Sequence, residues 1–357
     1  MLSHTPSLSK ESWFTREGPD QDVVISSRCR LSRNLSGLAF PPAGGREEQI
    51  AVVKAVEAAL YEEDRLYLTV DPGQADELER RCYRERNLLP PPREGVVLEP
   101  VAFVRDDEAA AVQVWDKDHL RLVSLIPGLS ALGAYSVVDS VDTHLEGYLD
   151  YAVSLRLGYL TSNIDNAGSG LRLSFLLHLP ILENNASLSE ATSELDRKLV
   201  KLEAFPGSGS GSPGSLYIVS NRTGFGRSDE ETLQLLEESC QLLLHYEREA
   251  RAELLAAHTD EVEDAAHRAL GLLRHSRSLG AEEAYELIST ARVGVAVGLI
   301  EGVRLPDITA LFVLLQEGHL RQAHRVHAEH TQQTDAVPKW RASVARTWLG
   351  ERLGGND

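Results

Sequence analysis

The chain has 357 residues, 42% hydrophobic and 25% charged, and its 36 Lys+Arg against 54 Asp+Glu leave a formal net charge of −18. This is ordinary globular composition, with length enough for two domains and a substantial core. The acidity weighs against nucleic-acid binding and against residence on an anionic membrane, so basic groups that serve an anion must be gathered locally. Cys29, Cys82 and Cys240 are widely spaced and form neither a zinc pattern nor a disulfide framework, which points to a reducing, cytoplasmic setting. No signal-peptide core and no apolar run of transmembrane length is evident.

In chain order, a polar segment up to Trp13 leads into a strand, VVISSRCRLSRN at 23–34. Gln49–Glu63 has helical periodicity and Leu88–Pro92 breaks the pattern. Val97–Val104 and Ala111–Leu125 alternate like strands, with Asp106-Asp107 as the turn between them. Leu132–Leu157 reads as mostly helical, Tyr159–Ser169 as a glycine-bearing loop, and Leu171–Leu179 as another strand. Ser187–Val200 is a predicted helix. The run GSGSGSPGS at 207–215 has nothing to bury and is expected to be an irregular loop. After the short strand Leu216–Ser220, Ser228 and Glu231 form a capping-box signature for a long helix to about Ala257. Beyond 258 the signals are helical only: Glu261–Leu273, Ala281–Val297, Asp307–Leu315 and Pro338–Leu353. The pattern predicts an α/β domain over residues 12–255 and a helical domain over 258–357.

Arg28 and Arg30 stand two residues apart on the first strand, so both guanidinium groups leave one face. Planar, permanently charged forks converging there suit a polyphosphate or a carboxylate, though a solvated strand edge is equally consistent with these two residues taken alone. Strict alternation over 109–124 places Gln113, Trp115, Lys117, His119 and Arg121 on one face and Asp116 and Asp118 on the other. In NAGSGLRLSFLLHLP (166–180) a glycine turn opens a strand with Leu171, Leu173, Phe175, Leu177 and Leu179 on one face and Arg172, Ser174 and His178 opposite. An arginine directly after a flexible turn is well placed to meet an anion. Neither a Walker A run nor G-x-G-x-x-G occurs.

Taken together and in order, SSRCRLSRN, WDKDHLRL with the following PG, GYLTSNIDNAGSGLRLSFLLHLP and LYIVSNRTGFGRSDEE resemble the ATP:guanidino phosphotransferases, the family of creatine and arginine kinases. The opening WFTREGPDQDVVISSR, the overall length and the helical tail bring the resemblance closer to bacterial protein-arginine kinases, over about residues 12–350. The resemblance implies a mostly antiparallel sheet flanked by helices (an α/β, α+β fold), with MgATP held by arginines. Matched motif by motif, those arginines are Arg28, Arg30, Arg121 and Arg172. It also implies departures at the catalytic positions. Asn-Glu-Glu-Asp-His in the family is Trp115-Asp116-Lys117-Asp118-His119 here, so the glutamate that orients the substrate guanidinium falls on Lys117. The reactive cysteine falls on Asn163. The loop arginine and loop glutamate fall on Glu203 and within 208–212. The phosphoarginine-binding Arg-Asp-x-x-Arg-Ala is reduced to Arg341-Ala342 within Val337–Ala342.

A guanidinium is cationic and a poor nucleophile, so its phosphorylation needs carboxylates to align it and help remove a proton. A cationic Lys117 repels it. The expectation is therefore a family member that binds ATP or ADP with Mg, with weak or absent transfer to arginine. The alternatives are an active protein-arginine kinase using a non-standard carboxylate such as Asp116, and a regulatory or scaffold pseudoenzyme. Expected partners are a nucleotide, protein arginine side chains or a regulatory protein, and a second copy of the chain, with no nucleic acid and no membrane.

Overall fold

The computed structural model describes residues 12–41, 43–92, 98–184, 187–205, 212–327 and 336–354. An eight-stranded sheet runs through the first two-thirds of the chain in the order β2-β3-β4-β5-β1-β8-β10-β9. Its strands are β1 (Val24–Arg33), β2 (Tyr67–Val70), β3 (Val101–Arg105), β4 (Ala110–Val114), β5 (Leu120–Pro127), β8 (Leu171–His178), β9 (Val200–Ala204) and β10 (Leu216–Asn221). Every paired neighbour is antiparallel. A separate hairpin joins β6 (Val153–Ser154) to β7 (Gly158–Tyr159).

The period-two pattern gives the sheet two unlike faces. On one, Cys29, Leu31, Val112, Leu122, Leu173, Phe175 and Val219 form a buried core. The helices α1 (Arg46–Tyr61) and α3 (Ala131–Glu146) contribute to it, as does the first half of α5 (Asp229–His275), through Val56, Val138, Leu236 and Leu243. On the other, Ile25, Ala102, Val104, Ala111, Val123 and Leu125 share a second core with the C-terminal helices. These are the second half of α5, α6 (Ala281–Ala296), α7 (Leu305–Leu314), α8 (Glu317–His327) and α9 (Val337–Leu353), whose Ile288, Leu311 and Trp348 belong to that core. Two further helices are α2 (Glu77–Glu85), which packs on α8, and α4 (Ser187–Arg197), which packs on the edge strand β9.

Several expectations are corrected. Ala111–Leu125 is a hairpin, not one strand: residues 115–119 turn between β4 and β5, with Trp115 at φ 69° and its N–H donating to the His119 carbonyl at 2.8 Å. The helix predicted to Leu157 ends at Glu146, where Gly147 follows. The helix expected to stop near Ala257 continues to His275, kinked at His258, so 255–258 lies inside a helix. Helices α2 and α8 and the edge strand β2 were not foreseen. The Ser228/Glu231 capping box is present, each side chain meeting the other residue's backbone N–H. Most of the glycine–serine run lies outside the described residues; Pro213–Ser215 form a single 3₁₀ turn. No helix among the described residues is long and apolar enough to cross a membrane.

Candidate functional site

The arginines meet because register and pleat agree. On β1, Arg30 stands opposite Arg172 of β8, and Ser32 opposite Arg121 of β5. Arg28, Arg30 and Ser32 share one side of β1, so Arg28, Arg30, Arg121 and Arg172 project from one region of the same sheet face. The Nε atoms of Arg28 and Arg30 are buried and find no hydrogen-bond acceptor among the described residues. Burial pushes the Arg28 guanidinium down to about 10, with Arg121 adding to the shift and Asp116 opposing it. Arg30 is driven well below the usual arginine range, first by burial and then by Arg28, Arg121 and Arg172. Arg172 is lowered by burial, against the pull of Glu203 and Asp165. Its Nη2 lies 3.5 Å from the Ser220 hydroxyl. Like charges about 5 Å apart in a half-buried setting repel by roughly 3 kcal/mol, so such a cluster stores unfavourable energy that a polyanion relieves.

One acid enters the cluster. The left-handed backbone at Trp115 breaks the alternation, and Asp116, buried, forms an ion pair with Arg121. Strict alternation had put Asp116 on the opposite face. Lys117 is exposed at the same turn. His119 does not line the arginine face either. Its Nδ1 accepts the Leu35 N–H at 3.0 Å and its Nε2 lies 2.9 Å from the Ala39 carbonyl, which makes Nε2 the protonated nitrogen. Burial holds its pKa below the usual histidine value. Asp118 Oδ1 accepts from Asn34 Nδ2 at 2.8 Å and from the Ser162 N–H at 2.6 Å, tying the turn to β1 and to the loop that carries Asn163. Asn163 accepts the Asp165 N–H on its side-chain Oδ1 at 3.1 Å, capping a 3₁₀ turn. Glu203 pairs with Lys201 at 2.6 Å on β9.

Arg33 went unnoticed in the sequence. It belongs to the same SSRCRLSRN motif but has the opposite parity from Arg28 and Arg30, so it leaves the other face. There it is nearly fully buried, forked onto Asp142 with Nε–Oδ contacts of 3.1 Å and stacked over Tyr159 at 3.5 Å. Its Nη1 donates to the Ser169 carbonyl at 2.8 Å, holding the glycine turn that opens β8. Gly170 has φ +72°, and a Cβ there would lie 2.6 Å from both Arg33 Nη1 and the Ser32 carbonyl. The signal was available: a charged residue on an otherwise apolar face demands a buried partner. In the tail, Arg341 is buried with Nε on the Leu315 carbonyl at 3.0 Å and Nη1 on that of Leu279 at 2.9 Å, so these donors serve helix ends.

Residues 50–250 match the family described as ATP:guanido phosphotransferase, C-terminal catalytic domain. Residues 259–353 match the protein-arginine kinase McsB C-terminal domain. A protein-arginine kinase of Desulforamulus reducens is 34% identical over 99% of this chain and 98% of its own. One from Moorella thermoacetica is 35% identical over 87% and 90%. Among solved structures, lombricine kinase superposes with a TM-score of 0.59 at 19% identity, covering 65% of this chain and 68% of that one. The duplicated taurocyamine kinase of Schistosoma mansoni gives 0.58 at 18% identity, over 76% of this chain and 38% of that one. The structural likenesses carry the fold.

Proposed function

Because the chain belongs to the protein-arginine kinase family of ATP:guanidino phosphotransferases, we propose that its arginine cluster takes the phosphates of ATP or ADP and that transfer to arginine is weak or absent. The observation that supports binding is the convergence of Arg28, Arg30, Arg121 and Arg172, with two buried Nε–H donors that find no acceptor among the described residues. A buried donor left unmade costs about 1–3 kcal/mol, which a phosphate oxygen recovers. The division into 12–255 and 258–357 belongs to this proposal, and the kink at His258 supports it.

Magnesium, when bound, neutralises charge on the phosphate oxygens. The donor set fits a metal carried in by the nucleotide. Asp116 is the carboxylate set against the cluster, and among the described residues no group of three or more His, Cys, Asp or Glu forms a cage.

Weak transfer is supported by the chemistry of the remaining positions. Lys117 is cationic and exposed, Asn163 is an amide engaged as a cap, and no carboxylate stands at 208–212. Asp116 favours a second reading, an active kinase, because it is the acid that the turn carries into the cluster; its pairing with Arg121 weighs against its serving a substrate guanidinium. On either reading the partners are a nucleotide and a protein that offers arginine or is regulated by nucleotide binding. Two measurements test the proposal. MgATP at about a hundredfold excess over Kd stabilises a native-state binder by roughly 2.7 kcal/mol, read as a rise in melting temperature; no rise at millimolar MgATP ends the binding claim. An acid-labile phosphate assay on protein and free arginine is expected near background, and robust transfer selects the Asp116 reading.

A further inference from the structure

Where α5 breaks at His258 (φ −142°, ψ 38°), the two halves of the molecule leave a cavity of about 590 Å³ between them. That size is typical of small-molecule sites, which favour domain junctions. One wall is the segment after β8, another is α5 on both sides of the kink, and the third is α6. Ile181, Leu254, Val262 and Val293 supply an aliphatic surface, and Glu183, Glu261 and Glu286 supply carboxylates. No lysine or arginine is among the described residues that line it. The one histidine, His258, lies 3.3 Å from Glu261, and the lining sets three carboxylates against it. Glu183 is oriented in advance, its Oε1 accepting the Tyr217 hydroxyl at 3.0 Å.

We propose that this cavity is a binding site for a small aliphatic cation, with a guanidinium or ammonium head on a short hydrocarbon body. The hydrocarbon would lie on the aliphatic wall and the head would meet the carboxylates, the division of labour that long cationic chains adopt at mixed surfaces. Nucleotides and phosphates are repelled, so the site is complementary in charge to the arginine cluster and does not depend on it. An occupant would also touch the stem of the glycine–serine run. Ser212 and Gly214 line the cavity, and Gly214 (φ +64°) packs so closely on α6 that a Cβ would lie 2.9 Å from the Tyr285 carbonyl. A bound cation thus bridges the first half, the second half and the turn that leads into β10.

Agmatine and putrescine are the probes, with glutarate as an anionic control and ionic strength held constant with sodium chloride. At about ten times Kd, either cation should raise the melting temperature by roughly 2 °C, with a single site by calorimetry. The double variant Glu261→Gln/Glu286→Gln should abolish the rise, and Arg172→Ala should leave it intact. A response to agmatine alone assigns the guanidinium head; a response to both assigns cationic charge on an aliphatic body. The proposal fails if neither cation shifts the melt, if glutarate shifts it equally, or if the double variant keeps the full response. It also fails if Arg172→Ala removes the response, since the cation would then be acting at the arginine cluster.

Discussion

Asp116 and Lys117 are neighbours in sequence and end in opposite environments, one buried against Arg121, the other in solvent. Their roles separate by experiment. Asp116→Asn leaves Arg121 without its counter-charge, so the unliganded protein should melt lower, while the ATP-induced rise in melting temperature should grow because the cluster becomes more positive. A smaller nucleotide response in that variant would contradict the assignment of Asp116 as the cluster's internal counter-ion. Arg172→Ala should cut the ATP response by more than half, since it removes a fork that faces Arg30 across the strand pair. Lys117→Glu alone should yield little phosphotransfer, because cooperating catalytic groups act non-additively. Combined with Asn163→Cys and a glutamate within 208–212 it should give acid-labile phosphate above background, general base catalysis alone contributing about 10²–10⁴-fold. The arginines were legible because i, i+2 on a strand is a geometric statement. Asp116 was not, because a single residue with φ > 0 takes the turn it opens out of strict alternation while Arg121 still pairs with Gln113, and tryptophan carries no such signal.

At the scale of elements, the motif strands work only because other elements hold them in register. Arg33 joins β1, α3 and the turn before β8 in one buried contact set. Arg33→Met should cost about 3–5 kcal/mol in denaturant unfolding, since it strands a buried Asp142 whose carboxyl burial already holds above its usual range. Asp142→Asn should cost less, because an amide can still accept from the guanidinium. Ser228→Ala should cost about 1 kcal/mol through loss of the α5 cap. A null effect there would mean that tertiary packing alone sets the helix start. The long apolar strands and the capped helix were readable from local pattern. Helix α2 was not: its run ELERRCYRE is almost wholly polar, and what makes it a buried element is Cys82 and Tyr83 packing inward while Glu85 accepts from the Gly318 and His319 N–H groups of α8.

At the scale of the molecule, the two halves are joined through buried histidines whose pKa values burial lowers. His178, 0% exposed, has its Nε2 2.8 Å from the Ser289 hydroxyl of α6, and His319 lies 2.7 Å from the Glu85 carboxylate. Burial lowers both pKa values, with Arg292 and Arg251 assisting at His178 and Glu85 opposing at His319; His119 is lowered by burial as well. A histidine whose folded pKa is depressed binds its proton more readily in the unfolded chain, so its contribution is complete above the unfolded value of about 6.5 and declines as pH falls below it. Each can contribute up to about 1.4 kcal/mol per pH unit. Thermal melts should be flat from about pH 8 to 7 and fall toward pH 5.5, with a shallower fall in His119→Gln. A wild-type protein that gains stability over that acid interval would refute the assignment. The sequence by itself determined the arginine positions, the alternating faces and the helical tail, because these follow from periodicity and from the chemistry of single side chains. Tertiary structure decided where those faces meet. The register that sets Arg30 opposite Arg172, the turn that brings Asp116 to Arg121, and the kink that opens a cavity between the halves all depend on contacts between residues far apart in the chain, and local pattern carries no information about such contacts.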